Sequence, residues 1–410
     1  MKNIYIFNIT SRSIRYGIGT YIQHLIRCAQ HAGFMVHYIL ISDEIKELEI
    51  IKKKSIWQFK VPLNHYGNTM NALTKTEQSL TYLLKEYITD NKNNIFHFNI
   101  TRQDALISRI KKQFNGKFVI TLHYTDWSFE LLGDKKELKR ILHTSPQKMN
   151  AKENFIYKSF IRDQQVLNEY ADHIIAIAKH SYMDITKMYN VPPDKVTLIN
   201  NALPDKYKHL SEQERNELRT QYKISPTENI IIFAGRLDEV KGIAILIRAF
   251  RILLERHPNS RLIIAGEGDY QILFPLAFKD WSKVTFTGYI KQKTLYELYS
   301  IADIGVVPSL HEEFGYVAIE MMMHRLPVIV NATTGLAEII DHEKNGLHVM
   351  LKRGKQNLLK SAKELSSALV RLSESPQLRI HLGKNARKKY LSHYAIRLFN
   401  QRMKSLYQTL

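Results

Sequence analysis

Short apolar runs of strand length alternate with longer stretches of helical period almost from end to end of this chain. Parallel strands cannot be joined by a tight turn, so each needs a crossover, and a helix is the usual one. The alternation therefore predicts an α/β chain whose parallel sheets are covered by helices, the doubly wound class. It excludes a helical bundle or a β-sandwich, and no short-period repeat points to a solenoid. Strands are expected near 4–10, 34–41, 95–100, 118–123, 173–178 and 196–200, then again near 230–235, 261–266, 284–288, 304–308 and 327–330. Between the two sets lies the polar stretch 203–228, with Pro204 and Pro226 near its ends and an expected helix over 211–222. It reads as a hinge segment separating two domains of comparable size.

With 410 residues and 44% hydrophobic content, the chain has ample material for two cores, so disorder is excluded for its bulk. Its single cysteine, Cys28, can make neither an internal disulfide nor a cysteine-based zinc site, which fits a reducing compartment. No membrane-spanning apolar run occurs, and the first residues read as a strand rather than a signal peptide. The expectation is a cytoplasmic protein, soluble or docked at the inner face of a membrane. A formal net charge of +20 leaves three partner classes, namely nucleic acid, an anionic membrane surface and an anionic small molecule. The charge is spread over both halves, with local concentrations in 131–162 (eight Lys/Arg against three acids) and 371–410 (nine against one).

The passage richest in chemistry is Pro308-Ser309-Leu310-His311-Glu312-Glu313-Phe314-Gly315-Tyr316-Val317-Ala318-Ile319-Glu320. A buried strand ends, a loop carries two carboxylates and a glycine, and a helix begins near Gly315. Open α/β sheets bind ligands at such strand ends. Free N–H groups at the helix start suit a phosphate, and Gly315 admits an anionic group close to the backbone. Glu320, about a turn into the helix, is placed to accept hydrogen bonds from a diol such as a ribose, while Glu312 can reach a sugar hydroxyl. Carboxylates beside a phosphate demand a compensating cation. Gly235-Arg236-Leu237-Asp238-Glu239-Val240-Lys241-Gly242, at another strand end, supplies a guanidinium fork and a point charge.

At these residues the chain resembles the retaining glycosyltransferases of family 4, which have the GT-B fold of two Rossmann-like domains with a cleft between. The glutamate pair with seven residues between is the family signature, matched by Glu312 and Glu320. Further matches are Ala265-Gly266-Glu267-Gly268, Phe286-Thr287-Gly288-Tyr289 and Leu326-Pro327-Val328-Ile329 in the second half. In the first half they are Tyr16-Gly17-Ile18-Gly19-Thr20-Tyr21, Thr121-Leu122-His123 and the interdomain Ile199-Asn200-Asn201-Ala202.

The resemblance implies a domain division of 1–202 for the acceptor side and 203–384 for the nucleotide-sugar side, with a terminal helix over about 385–410 packed back on the first. It implies that Arg236 and Lys241 neutralise a donor diphosphate, that Glu320 binds the ribose, and that Glu312 with the Phe314 and Gly315 amides, and Tyr316 alongside, holds the transferred sugar. Gly19 would approach the donor phosphate, and His123 would touch the sugar or the acceptor. Gly235, Gly266 and Gly268 would shape the donor loops, and Tyr289 and Ile290 would flank the base. No cofactor is implied, the donor being a UDP- or GDP-sugar, and no Asp-x-Asp metal motif occurs. The acceptor could be a saccharide, a lipid-linked, peptide or small-molecule hydroxyl. Departures fall at Ala178, Ala202, Arg325 and Thr334-Gly335-Leu336-Ala337-Glu338, all outside the core donor set.

Singly, each feature has a plain structural explanation: a solvated glutamate pair, a tight glycine turn, a core histidine, a helix-entry charge pair. Met321-Met322-Met323 follows helical packing and reads as core filler. Joint occurrence in order, each at a strand end, favours the transferase reading. Two rivals stand beside it: a basic nucleic-acid-binding protein, for which no stacking or helix-turn-helix module is visible, and a nucleotide-sugar-binding pseudoenzyme or hydrolase on the same fold.

Overall fold

The computed structural model describes residues 2–9, 17–63, 70–99 and 101–410, with the backbone alone for 70–76. Tyr16 of the glycine-rich motif, and the strand ends Thr10 and Ile100, lie outside these residues. The chain divides into two compact units, Met1–Asn201 with Ile396–Leu410, and Ala202–Ala395.

Among the described residues the first unit holds eight strands: β1 (Asn3–Ile9), β2 (Met35–Ser42), β3 (Glu49–Lys53), β4 (Ile56–Pro62), β5 (Ile95–Phe98), β6 (Lys117–Leu122), β7 (His173–Ala176) and β8 (Val196–Leu198). Their order across the sheet is β3-β4-β2-β1-β5-β6-β7-β8. Every pairing is parallel except β3 with β4, an antiparallel hairpin at the edge. This hairpin was not anticipated, because its residues are mostly half-exposed and lysine-rich and lack a continuous apolar run. The helix Ile396–Thr409 completes the unit, burying Phe399, Met403 and Tyr407.

The second unit has six parallel strands: β9 (Asn229–Ala234), β10 (Ser260–Ala265), β11 (Val284–Gly288), β12 (Ile304–Val307), β13 (Val328–Asn331) and β14 (Gly346–Val349). The order β11-β10-β9-β12-β13-β14 reverses between β9 and β12, and the first sheet reverses between β1 and β5. Such reversals leave a crevice at the strands' carboxyl ends, because successive crossovers run to opposite sides. Met321, Met322 and Met323 are fully buried, as core residues should be.

The stretch 203–228 is more than a hinge. Its helix Glu212–Gln221 starts at a capping box of Ser211 and Glu214 and belongs to the second unit. Arg219, buried to 1% exposure, fastens it by donating to the carbonyls of Ile301, Pro226 and Glu228 and to Asp303 Oδ2. A buried guanidinium persists only where its donors are satisfied this way.

Candidate active site

The loops that follow β9 and β12 are neighbours because those strands pair directly. Leu310 N–H donates to Val240 O at 2.7 Å, joining the two loops at the sheet's reversal point. Across this junction the Lys241 ammonium forms an ion pair with Glu312 Oε1, which also accepts from Ser309 Oγ at 3.1 Å. Sequence reasoning gave these two residues separate tasks; the structure brings them together. Arg236 instead lies against Asp238 of its own loop at 3.0 Å, with its side chain 42% exposed.

The glycines of these loops have local reasons of their own. A Cβ on Gly266 would stand 1.8 Å from Gly235 O, so the loops after β9 and β10 can meet only with glycine there. The contact is laced by Gly235 N–H to Ala265 O at 2.9 Å and Leu237 N–H to Glu267 O at 2.7 Å, and Gly268 faces Leu237 in an isolated bridge. Gly315 precedes the helix Tyr316–Met323 with φ of +106°, a conformation that side chains resist. Beside it the Phe314 ring is buried against Tyr316 and Tyr394, so of the two residues predicted to offer amides, Phe314 can offer only its backbone. Tyr289 is 61% exposed at the end of β11, with Ile290 half-buried next to it.

Glu320 is partly buried, and two phenols donate to its carboxylate, Tyr296 to Oε1 at 3.2 Å and Tyr299 to Oε2 at 3.4 Å. Burial pushes its pKa up to about 7, while the two phenols pull the other way. Both tyrosines come from the helix Gln292–Ile301, and neither figured in the sequence reading.

Sequence reasoning also missed what holds Glu312. Thr334 Oγ1 donates to Glu312 O and accepts from Glu312 N–H, and Gly335 N–H donates to the same carbonyl at 2.9 Å. Asn331 Nδ2 adds a bond to Ser309 O at 3.0 Å. The stretch from Thr334 that looked like a departure outside the donor set is thus the brace of the glutamate loop. Only spatial proximity reveals it, since the contact spans 22 residues of sequence.

In the first unit, Gly19 stands in the first turn of the helix Gly17–His31 and is buried, rather than lying on a loop. His123 follows β6 with its ring edge-on to Tyr21, 4.5 Å between centroids. Asn99 donates its amide to Phe7 O, so its Oδ1 accepts from His123 Nε2–H at 3.2 Å, and His123 Nδ1 is left as an acceptor. Behind it runs a chain of hydrogen bonds from Tyr21 through Thr121 and His97 to Tyr407. Burial pushes the pKa of both His97 and His123 down to about 3, so both rings are neutral. A small pocket beside His123 is lined by Thr101, Arg102, Tyr124, Asp126, Arg162 and Asp163. Its charges cancel internally: Asp126 pairs with both arginines, and Asp163 with Arg162 at 2.9 Å.

The basic stretch 131–162 is largely neutralised by acids beyond its ends. Lys135 pairs with Asp184, Lys152 with Glu130, and Arg162 with Asp126 and Asp163, while Arg140 takes Glu137 and Glu153. These four outside acids reduce the local excess of five to one. The second stretch is shared between the units, since Ile396–Leu410 belongs to the first and the residues before it to the second.

Two family descriptions match in succession, "Glycosyltransferase Family 4" over residues 16–207 and "Glycosyl transferases group 1" over 214–389. An uncharacterized glycosyltransferase of Methanocaldococcus jannaschii is 39% identical over 186 residues, 44% of this chain and 47% of that one. The chain spans about half the length of the curated relatives it matches. Among solved structures, sucrose-phosphate synthase from Thermosynechococcus elongatus superposes with a TM-score of 0.78 at 21% identity, over 99% of this chain and 98% of that one. Anabaena HepE, solved in complex with UDP-glucose, gives 0.72 at 16% identity over the whole of both chains. At such identities these structures speak for the fold, and the family rests on the two consecutive matches and the motifs they contain. With both sheets in place and both halves matched, the chain belongs to the family 4, group 1 glycosyltransferases of GT-B fold.

Proposed function

We propose that this chain transfers a sugar from a nucleoside diphosphate sugar to an acceptor hydroxyl, with the anomeric configuration retained and with side-chain cations in the place of a metal. The observation that carries this reading is the Lys241–Glu312 pair at the reversal point of the second sheet. An ammonium already held beside a carboxylate can be re-partnered by an incoming diphosphate, and the carboxylate it leaves is freed for a sugar hydroxyl. Lys241 and Arg236 then stabilise the charge that grows on the diphosphate as the glycosidic bond breaks. Glu320 accepts from the ribose hydroxyls, the Gly315 and Phe314 amides face the donor, and Tyr289 and Ile290 flank the base. A uridine donor is supported by the HepE complex with UDP-glucose; a guanosine donor is the alternative.

On this reading the second unit takes the donor, while Gly19 and His123 of the first serve the donor phosphate and the acceptor. Retention follows from attack on the face that the diphosphate leaves, with a diphosphate oxygen taking the acceptor's proton as the new C–O bond forms. The buried single thiol, Cys28, fits a cytoplasmic enzyme.

The test begins with thermal shift against UDP-, GDP- and ADP-sugars and proceeds to product analysis with saccharide, lipid-linked and peptide acceptors. The expected result is stabilisation by one nucleotide class and a glycoside whose anomeric proton matches the donor's. Sugar release without acceptor would replace transfer by hydrolysis. DNA binding with no response to any nucleotide sugar would overturn the reading altogether.

A further inference from the structure

Residues 270–283, which follow the Gly266-Glu267-Gly268 loop, carry a set of exposed apolar side chains that the transfer chemistry leaves unused. Phe278 and Trp281 are 76% and 74% exposed, the two highest values among the described large hydrophobic residues. Ile272 at 63% and Phe274 at 53% stand in the same stretch. Isolated exposed hydrophobics need no explanation, but four exposed within ten residues of one segment are a local concentration, and such concentrations mark interaction sites.

The segment is anchored, so the patch is a fixed feature of the surface. Its helix Tyr270–Ala277 buries Leu273 and Ala277, and Phe274 leans on Tyr270 and Phe286 at ring distances of 5.3 and 5.0 Å. A short 3-10 turn, Phe278–Lys283, continues it with a bend at Asp280. That aspartate is the only acid in 270–283, and Arg251 holds it at 2.7 Å. Lys279 and Lys283 flank Trp281 in sequence, and no other acid of the segment offsets them.

We propose that 270–283 is a membrane-docking surface that sets Phe278 and Trp281 at the headgroup–acyl boundary of an anionic bilayer, with Lys279 and Lys283 against the lipid phosphates. Trp and Phe favour that boundary, and lysines at the rim gain from a negative surface potential. Charge complementarity decides between occupants. A second copy of this chain, itself at +20, would set lysine against lysine. Among the described residues no helix is long and apolar enough to cross a bilayer, so this surface would hold the protein at the membrane from one side. The proposal concerns where the protein sits and stands apart from the donor chemistry.

Flotation of the full chain with phosphatidylcholine vesicles, with and without phosphatidylglycerol, tests it. Binding is expected with phosphatidylglycerol, together with a blue shift of tryptophan fluorescence, since Trp281 is the exposed one of three tryptophans and Trp127 is buried. Phe278→Ser with Trp281→Ser should lower partitioning more than tenfold, and Lys279→Gln or Lys283→Gln about fivefold each, with a weaker salt dependence. Unchanged thermal melting of these surface variants confirms that folding is intact. Absence of binding to anionic vesicles, or binding undiminished in the Phe278/Trp281 variant, overturns the proposal. A lipid-free dimer that the same variant makes monomeric would also overturn it, in favour of a second copy.

Discussion

At the carboxyl edge of the second unit's sheet the working groups are charged and within reach of solvent, the Lys241 and Glu312 side chains being 17% and 19% exposed. At the matching edge of the first unit they are neutral and buried: His123 is bonded to Asn99, and His97 to Thr121 and onward to Tyr407. The pocket beside them does contain charge, but as aspartates and arginines already paired among themselves. A group that must meet a growing negative charge has to keep a partner it can exchange, and Glu312 is such a partner. A group that only shapes a recess is better fixed, because a buried polar network holds one geometry when every member is satisfied. The same strand plan thus carries a re-partnerable site on one sheet and a set one on the other.

Acid should separate the two most widely. His97 and His123 are held neutral in the folded protein, with pKa values down to about 3, whereas the unfolded chain takes up protons near 6.5. Their contribution is therefore fully present above pH 6.5 and lost as pH falls toward 3, by up to about 1.4 kcal/mol for each histidine and pH unit crossed. Asp163, raised to about 6 by burial, acts oppositely, so part of the loss is offset between pH 6 and 4. Denaturant melts from pH 7 to 4, followed by the exchange of first-unit amides, should show that unit opening ahead of the second; simultaneous opening would mean that the two units do not differ in this way.

Lys241→Ala should lower kcat by about 10²–10³-fold with a smaller change in donor affinity, as expected for a cation that acts mainly on the transition state. Full activity in this variant would move the donor site elsewhere. Thr334→Val removes the hydroxyl's two bonds from the brace on the Glu312 loop while keeping the side chain's shape. We expect kcat to fall by about tenfold, the worth of one or two net hydrogen bonds, with the donor KM little changed. A large loss of thermal stability instead would mark Thr334 as structural only.

The smallest effect concerns Glu320, whose pKa stands at about 7. Only the ionised carboxylate accepts from both hydroxyls of a ribose, so donor affinity should rise severalfold between pH 6 and 8 and stay flat in Glu320→Gln. The folding contribution of this group runs against that of the histidines. It is present below the unfolded pKa near 4.5 and lost as pH rises through 7.

Much of the fold could be read from the sequence because buried parallel strands are continuous apolar runs, as in β9 with Ile230, Ile231 and Ile232. The β3–β4 hairpin escaped because lysines interrupt its half-buried residues, and β14 because four residues with a histidine among them make a faint signal. At the site, glycines and carboxylates at strand ends were legible, since their chemistry is local. Pairings were not: Lys241 and Glu312 are 71 residues apart, and the tyrosines behind Glu320 sit on a helix that looks ordinary in sequence. Charge counted in a window misled for the same reason, as Asp184 and Asp126 lie outside 131–162 yet neutralise what is inside it.

The helix Ile396–Thr409 bears on how the protein is made. Its Phe399, Met403 and Tyr407 fill the first unit, and Tyr407 ends the hydrogen-bond chain that runs through Thr121 and His97. The second unit is therefore inserted within the first, and every residue it needs leaves the ribosome before these do. The part of the protein synthesised first is the part finished last. Until then His97 lacks the hydroxyl of Tyr407, and the face that Phe399 and Tyr407 cover stays open.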